Sequence, residues 1–168
     1  MALNKTDIRK KNIIDTATKV FAQRGFQEST ITEIAKEAKV SEASIYEYFS
    51  TKEGLLFSIP GEASQTLFEV MAFHLKIIRG SANKLRAIVY LLMDSYQKNP
   101  DFAAVLMLFL KHNKKFLDTS GHHVIKEGIK HITRVIEEGI EAKEFRDDLN
   151  PYLVRSMILG TIEHLVTN

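Results

Sequence analysis

Residues 30–49 read TITEIAKEAKVSEASIYEYF, and the spacing of their caps and apolar positions decides the fold. Thr30 and Glu33 stand as a capping box, where hydroxyl and carboxylate each take a free amide at a helix start. They open a short helix to about Ala38. Lys39, Val40 and Ser41 form a turn, and the Ser41 hydroxyl caps a second short helix from Glu42 to Tyr48. Two short helices joined this way make a helix-turn-helix candidate. Ile34, Ala35, Val40, Ile45 and Phe49 fall on its inner side, against Phe21 and Phe26 of the preceding segment. Glu42, Ala43, Ser44, Tyr46 and Glu47 then face outward. A helix of that width fits the major groove, where hydroxyls and carboxylates read base edges. Taken alone, the pattern suits an ordinary three-helix packing unit equally well.

Outward from this stretch the chain stays helical. No period-two alternation appears, Gly and Pro number only 8 and 3, and apolar residues recur at three and four. A first helix is expected from about Thr6 to Arg24, with Ile13, Ala17, Val20 and Phe21 on one stripe and Gly25 as its stop. Ser50 to Glu53 reads as a second capping box, starting a helix that meets Pro60-Gly61. A proline there removes an amide and restricts Ile59, so a kink or break is expected. Longer helices follow at Glu62 to Arg79, Ala82 to Lys98, Pro100 to Leu117, His122 to Lys143 and from Pro151 onward. Ser81, Asn99 and Asn150 are the expected N-caps, and Pro100 and Pro151 occupy first-turn positions. The division expected is a head of residues 1–55 and a helical body of residues 56–168.

Composition restricts the function. The 168 residues contain no Cys, which excludes disulfides and thiolate metal sites and suits a cytoplasmic location. No signal peptide is visible in MALNKTDIRKK. The longest apolar run, Phe102 to Leu110, is far short of the ~20 residues a bilayer requires, so no membrane partner is expected. The net charge of +2 is nearly balanced. The head carries nine Lys/Arg against eight Asp/Glu, a weak basic footprint for a nucleic-acid binder.

The wider frame is more specific than the motif. Ile13 to Leu56 resembles the head of the tetracycline-repressor (TetR) family of bacterial regulators. The resemblance lies in Ala17, Val20-Phe21, Gly25-Phe26, Thr30, Ile34-Ala35, Val40-Ser41, Ile45-Tyr46, Phe49 and Lys52-Glu53-Gly54-Leu55. It covers about the first third of the chain. It implies an all-α regulator with a three-helix helix-turn-helix head and a C-terminal helical bundle for ligand binding and dimerisation. It further implies a homodimeric repressor bound to double-stranded operator DNA. Carried over by position, it makes Ser44 and Tyr46 contact DNA. Tyr48 and Lys52 meet phosphates, as does Thr32, within a surface that includes Ser41, Glu42 and Ala43. Lys39 stands where the family usually has glycine, and Glu42 where it often has lysine. Glu42 either accepts a hydrogen bond from a cytosine amino group or simply complements the helix dipole. Glu42 and Glu47 both repel phosphate, which makes a modest, steeply salt-dependent DNA affinity the expectation.

In the body, Ala82 to Lys98 is apolar nearly all round and must be enclosed by other helices. Phe68, Met71, Val89, Met93, Tyr96, Phe102, Met107 and Phe109 supply aromatic and methionine surface suited to a pocket for a small lipophilic effector, such as a fatty-acyl compound or hydrophobic drug. The same residues also suit a solid core. A stripe of Ile125, Ile129, Ile132 and Ile136, with Leu153, Met157, Ile158 and Leu165 further on, is the expected dimer face. The resemblance implies a further helix after Asn168, so part of that face or of the pocket lid is expected beyond the sequence read here.

The six His are scattered, with no metal-ligand spacing and no nucleophile-base-acid set. No metal, cofactor or catalysis is expected. The rival classes are a ligand-binding or oligomeric scaffold with a vestigial head and, more remotely, an enzyme. DNA release would follow a shift of the helix starting at Lys52, with Pro60-Gly61 as the candidate hinge.

Overall fold

A computed structural model of the chain describes residues 4–167, and among these every regular element is a helix. Helix α1 (Lys5–Arg24) starts at Asn4, whose side chain accepts from the Asp7 amide at 2.8 Å. It ends at Gly25, where φ is +83° and glycine adopts the angle without steric cost. Three shorter helices follow: α2 (Ile31–Ala38), α3 (Glu42–Phe49) and α4 (Lys52–Ser58). Helix α1 packs on α2 and α4, and α3 packs on the same two helices. Their common core is Ile13, Phe21, Ile34, Ile45, Leu55 and Leu56, all fully buried, and each contributes roughly 1.5–3 kcal/mol.

The cap of α4 lies one residue later than expected. Thr51, not Ser50, accepts from the Gly54 amide at 2.9 Å, while Ser50 closes α3 with φ at +61°. A Cβ at Gly54 would run into the Phe49 carbonyl. Glycine therefore lets α4 begin hard against the end of α3. Helix α4 stops at Ser58, Ile59 keeps helical angles, and Pro60 is the first residue of α5 (Pro60–Ile77). The proline interrupts the hydrogen-bond ladder, as expected, without turning the chain out of the helical region.

The chain forms two compact units. One combines the chain up to Pro60 with Asp101–Gly121. The other combines Gly61–Pro100 with the chain from His122 onward. This differs from a single cut after residue 55, because a later segment joins the head: the rings of Phe57 and Phe116 lie 5.8 Å apart, and Lys115 pairs with Glu53 at 3.0 Å. Gly121 fits against the Phe57 carbonyl and the Pro60 ring. The same segment corrects another expectation. A single helix from Pro100 to Leu117 does not form. Helix α7 (Pro100–Val105) passes into a π turn, Leu106–Leu110, in which the Lys111 amide reaches the Leu106 carbonyl at 3.0 Å. A 3-10 turn, Phe116–Asp118, ends the segment. Beyond the π turn, Asn113 helps to keep the chain from resuming a helix. Its side-chain oxygen accepts from the Lys115 amide at 3.0 Å, and such local bonds compete with the helical ladder.

The second unit contains most of α5, then α6 (Ser81–Lys98), α8 (Ser120–Glu141) and α9 (Pro151–Thr167). Met71, Ile88, Leu92, Ile132, Val135, Ile136 and Ile162 form its buried centre. Ser81 is not the cap of α6: it is buried as the first helical residue, with Gly80 before it at φ +82°. The Ala82 amide is instead taken by the Glu144 carboxylate at 3.2 Å. Asn99 ends α6 rather than capping α7. Asn150 does cap α9, accepting from the Tyr152 and Leu153 amides at 3.0 and 3.1 Å.

The expected dimer face divides. Ile132 and Ile136 are each 1% exposed and belong to the centre of this unit, so they are corrected from surface to core. Ile125, Ile129 and Ile158 are half-buried. Leu153, Met157 and Leu165 are 61%, 64% and 61% exposed. The outer side of α8 is polar, with Glu127, Lys130, Arg134, Glu137 and Glu141 exposed. An apolar stripe must be covered by something; for α8 the cover is its own unit. Ile136→Ala should therefore cost roughly 2–5 kcal/mol of unfolding free energy. Leu153→Ala should change it by no more than ~0.5 kcal/mol. Chemical denaturation at protein concentrations too low for self-association checks both.

Candidate nucleic-acid interface

The outer face of the helix-turn-helix is built by local rules. Thr30 accepts from the Glu33 amide at 3.2 Å. The Glu33 carboxylate turns to Arg24 at 2.7 Å and so links α2 to the end of α1. Asn12 of α1 donates to the Ala38 carbonyl at 2.8 Å, satisfying the C-terminus of α2. Lys39 takes the left-handed angles φ 57° and ψ 44°, at a cost of about 1 kcal/mol for a residue with a Cβ. Its amide and that of Val40 close on the last turn of α2. Ser41 then caps α3, accepting from the Ser44 amide at 3.2 Å.

These bonds bring most of the expected DNA-contacting residues together. Ser41, Glu42, Ala43 and Tyr46 are exposed at and beyond the start of α3, with Glu47 beside them. Ser44 and Tyr48 are half-buried, and Thr32 is exposed on the first turn of α2. The Ser41 and Ser44 hydroxyls lie 2.9 Å apart. One O–H of the pair is thus committed, which leaves one donor and several lone pairs for a partner. Tyr46 is 47% exposed and presents a ring with a polar tip.

Lys52, expected to meet a phosphate, has partners within the head itself. Its ammonium donates to the carbonyls of Phe26 and Ser29, each at 2.8 Å, and of Gln27 at 3.4 Å. It also lies 4.5 Å from the centre of the Phe26 ring. Sequence reasoning placed the charge correctly near a helix N-terminus and missed the loop that takes it. The buried Ser29, which donates to the Gly25 carbonyl at 2.6 Å, was the available signal for an ordered loop.

The comparisons with known proteins agree with this geometry. The profile for bacterial regulatory proteins of the tetR family matches residues 13–59. A second profile, for the C-terminal region of YsiA-like proteins, matches residues 62–168. The fatty acid metabolism regulator protein of Bacillus subtilis (strain 168) is 30% identical over 155 residues, covering 92% of this chain and 80% of that protein. The chain belongs to the tetR family. It is a DNA-binding transcriptional regulator, and α3 is the second helix of its helix-turn-helix. Two solved structures are also similar. The fatty acid degradation regulator FadR from Bacillus halodurans has a TM-score of 0.86 and 27% identity, covering all of this chain and 86% of its own. FadR from Bacillus subtilis, solved with stearoyl-CoA, has a TM-score of 0.84 and 30% identity, covering 94% and 84%.

The eight residues expected to line an effector pocket divide between the two units of this tetR-family fold. Met71 is wholly buried in the centre of the second unit, and Phe68, Val89, Met93 and Tyr96 pack against that centre. Phe68 lies over Gly128, where a Cβ would strike its ring. Burial pushes the Tyr96 phenol up to about 12, so it stays neutral inside an apolar environment. Phe102, Met107 and Phe109 belong to the first unit, each half-buried. Among the described residues no group of His, Asp and Glu is arranged to hold a metal, and no helix is long and apolar enough to cross a membrane.

Between Thr30 and Phe49 four carboxylates stand against two lysines. Removing one exposed acid from the recognition helix should therefore strengthen the attraction to phosphate. Glu47→Gln is expected to bind duplex DNA several-fold more tightly at low ionic strength, with the gain fading as salt rises. Fluorescence anisotropy across a salt series checks this.

Proposed function

We propose that the protein is a homodimeric transcriptional repressor that leaves its operator when a long-chain fatty-acyl thioester occupies the second unit. One observation carries the effector assignment: the similarity, at 30% identity over 94% of this chain, to a regulator solved with stearoyl-CoA. The apolar interior of the second unit supports it, with Phe68, Val89, Met93 and Tyr96 arranged around Met71. Methionine and aromatic side chains repack around a flexible chain at low cost. The uncharged Tyr96 adds a polar point without an ion to desolvate.

In this reading two copies associate through α9, where Tyr152, Leu153, Met157 and Leu165 are exposed and Ser156 and Gly160 allow close approach. No Cβ contact blocks Gly160. A two-fold dimer sets two α3 helices about 34–36 Å apart, in successive major grooves of a near-palindromic site. Ser41, Glu42, Ala43, Ser44 and Tyr46 read bases there, while Thr32 and Tyr48 lie toward phosphates. Effector binding favours a spacing that no longer matches the grooves, and Pro60-Gly61, where the two units divide, absorbs the change. The site of action is cytoplasmic, where both operator and acyl thioester are found.

Mobility-shift titration against the DNA flanking the protein's own gene should give a competitor-resistant complex that stearoyl-CoA dissolves and free coenzyme A does not. No salt-sensitive complex at low ionic strength overturns the repressor reading; a complex indifferent to the thioester overturns the effector. Met157→Arg should lower both self-association in sedimentation and operator affinity by at least tenfold, since a buried unpaired charge opposes pairing.

A further inference from the structure

We propose that Glu42 is a specificity-determining residue that requires a cytosine in each half-site, its carboxylate accepting a hydrogen bond from the cytosine amino group. The proposal rests on the reading of α3 as the helix that enters the major groove, and it adds the base demanded there. Glu42 is the first residue of α3, and side chains near that end of the second motif helix reach base edges. It is exposed, and among the described residues nothing pairs with its carboxylate. The partners that local sequence could offer are withdrawn. Capping is done by Ser41, whose hydroxyl accepts from the Ser44 amide at 3.2 Å and lies 2.9 Å from the Ser44 hydroxyl. A lysine or arginine one turn further along would make a helical ion pair, but α3 contains neither. Lys39, the nearest cation in sequence, lies before the cap in its left-handed turn and is itself exposed. The carboxylate is therefore left to whatever α3 meets.

The chemistry of that meeting selects one base. An ionised carboxylate accepts hydrogen bonds and donates none. In the groove it loses water and stands near phosphates that repel it, so binding is favourable only where a donor answers it. Guanine shows two acceptors in the major groove, N7 and O6. Thymine shows the O4 acceptor and a methyl group, and adenine sets its N6 donor beside the N7 acceptor. Cytosine alone offers a donor, the N4 amino group, with no acceptor on its own edge. The neighbouring groups are less selective: the hydroxyls of Ser44 and Tyr46 both donate and accept, and Ala43 presents only a methyl. The helix dipole also favours an acid in this turn, but it does so equally for every DNA sequence. A base preference that follows the side chain at position 42 separates the two roles.

Selection from randomised duplexes at low ionic strength gives the first test, with wild-type protein, Glu42→Gln and Glu42→Ala. The wild type should demand cytosine at one position of each half-site, any other base there weakening binding about fivefold or more. Glu42→Gln should turn that preference to adenine, whose N6 and N7 suit an amide, and Glu42→Ala should accept all four bases. Preferences elsewhere in the site should stay as they are. The same cytosine preference in both variants, or a gain in affinity spread evenly over all sequences, overturns the proposal. The second test uses the unaltered protein and a selected duplex. N4-methylcytosine, in which a methyl group replaces the amino hydrogen facing the major groove, should weaken binding about fivefold or more at that position. 5-Methylcytosine, which keeps the hydrogen, should weaken it far less, and equal binding of the two duplexes overturns the proposal. If the wild type enriches no sequence, the operator reading falls and this inference with it; an enriched site without the cytosine overturns this inference alone.

Discussion

The burial of Ile45 and Phe49 is the interaction on which the reading surface depends. Helix α3 has eight residues, well below the length at which a helix persists alone in water. It exists because those two side chains enter a core already made by Ile13, Phe21, Ile34 and Leu55. With the inner face fixed, the helical period leaves Glu42, Ala43, Tyr46 and Glu47 on the outside. The outward face is what remains after packing has taken its share. Two residues with a Cβ in left-handed conformations, Lys39 and Ser50, bracket this helix. Their strain is tolerated because packing determines the conformation more strongly than local preference opposes it.

Features governed by neighbours in sequence were legible. The caps at Thr30, Ser41 and Asn150, the stop at Gly25 and the proline break after α4 all follow from bonds within a few residues. The head's inner face was legible because a short helix has only one way to bury Ile45 and Phe49. Other features required distant partners. A stripe of isoleucines on α8 announces that something covers it, yet the same pattern fits a partner subunit and the protein's own centre. Only the packing of Ile132 and Ile136 against Met71, Ile88 and Ile162 separates the two. The cap of α6 comes from Glu144, 62 residues away, and no local pattern encodes it. Lys52 illustrates the same limit, since a cation at a helix start says nothing of loop carbonyls turned toward it.

Charge shapes the regulator differently from burial. The outward face of α3 carries acids, and the most favourably placed cation of the head is bonded internally. The head accordingly offers little net positive charge to a polyanion. Under the proposed function, discrimination among sequences falls to the hydroxyl, carboxylate, methyl and aromatic groups that α3 presents, since base contacts rather than phosphate contacts carry sequence information.

The membership of Asp101–Gly121 in the head has a consequence for the order of events during synthesis. The recognition helix emerges from the ribosome within the first fifty residues, but Phe116 and Lys115, which complete the unit around Phe57 and Glu53, emerge much later. Domains fold as their last contributing segment appears. The partners of Phe57 and Glu53 are therefore made only after the whole of Gly61–Pro100, the second unit's first segment. The order of synthesis and the order of assembly are thus different in this chain.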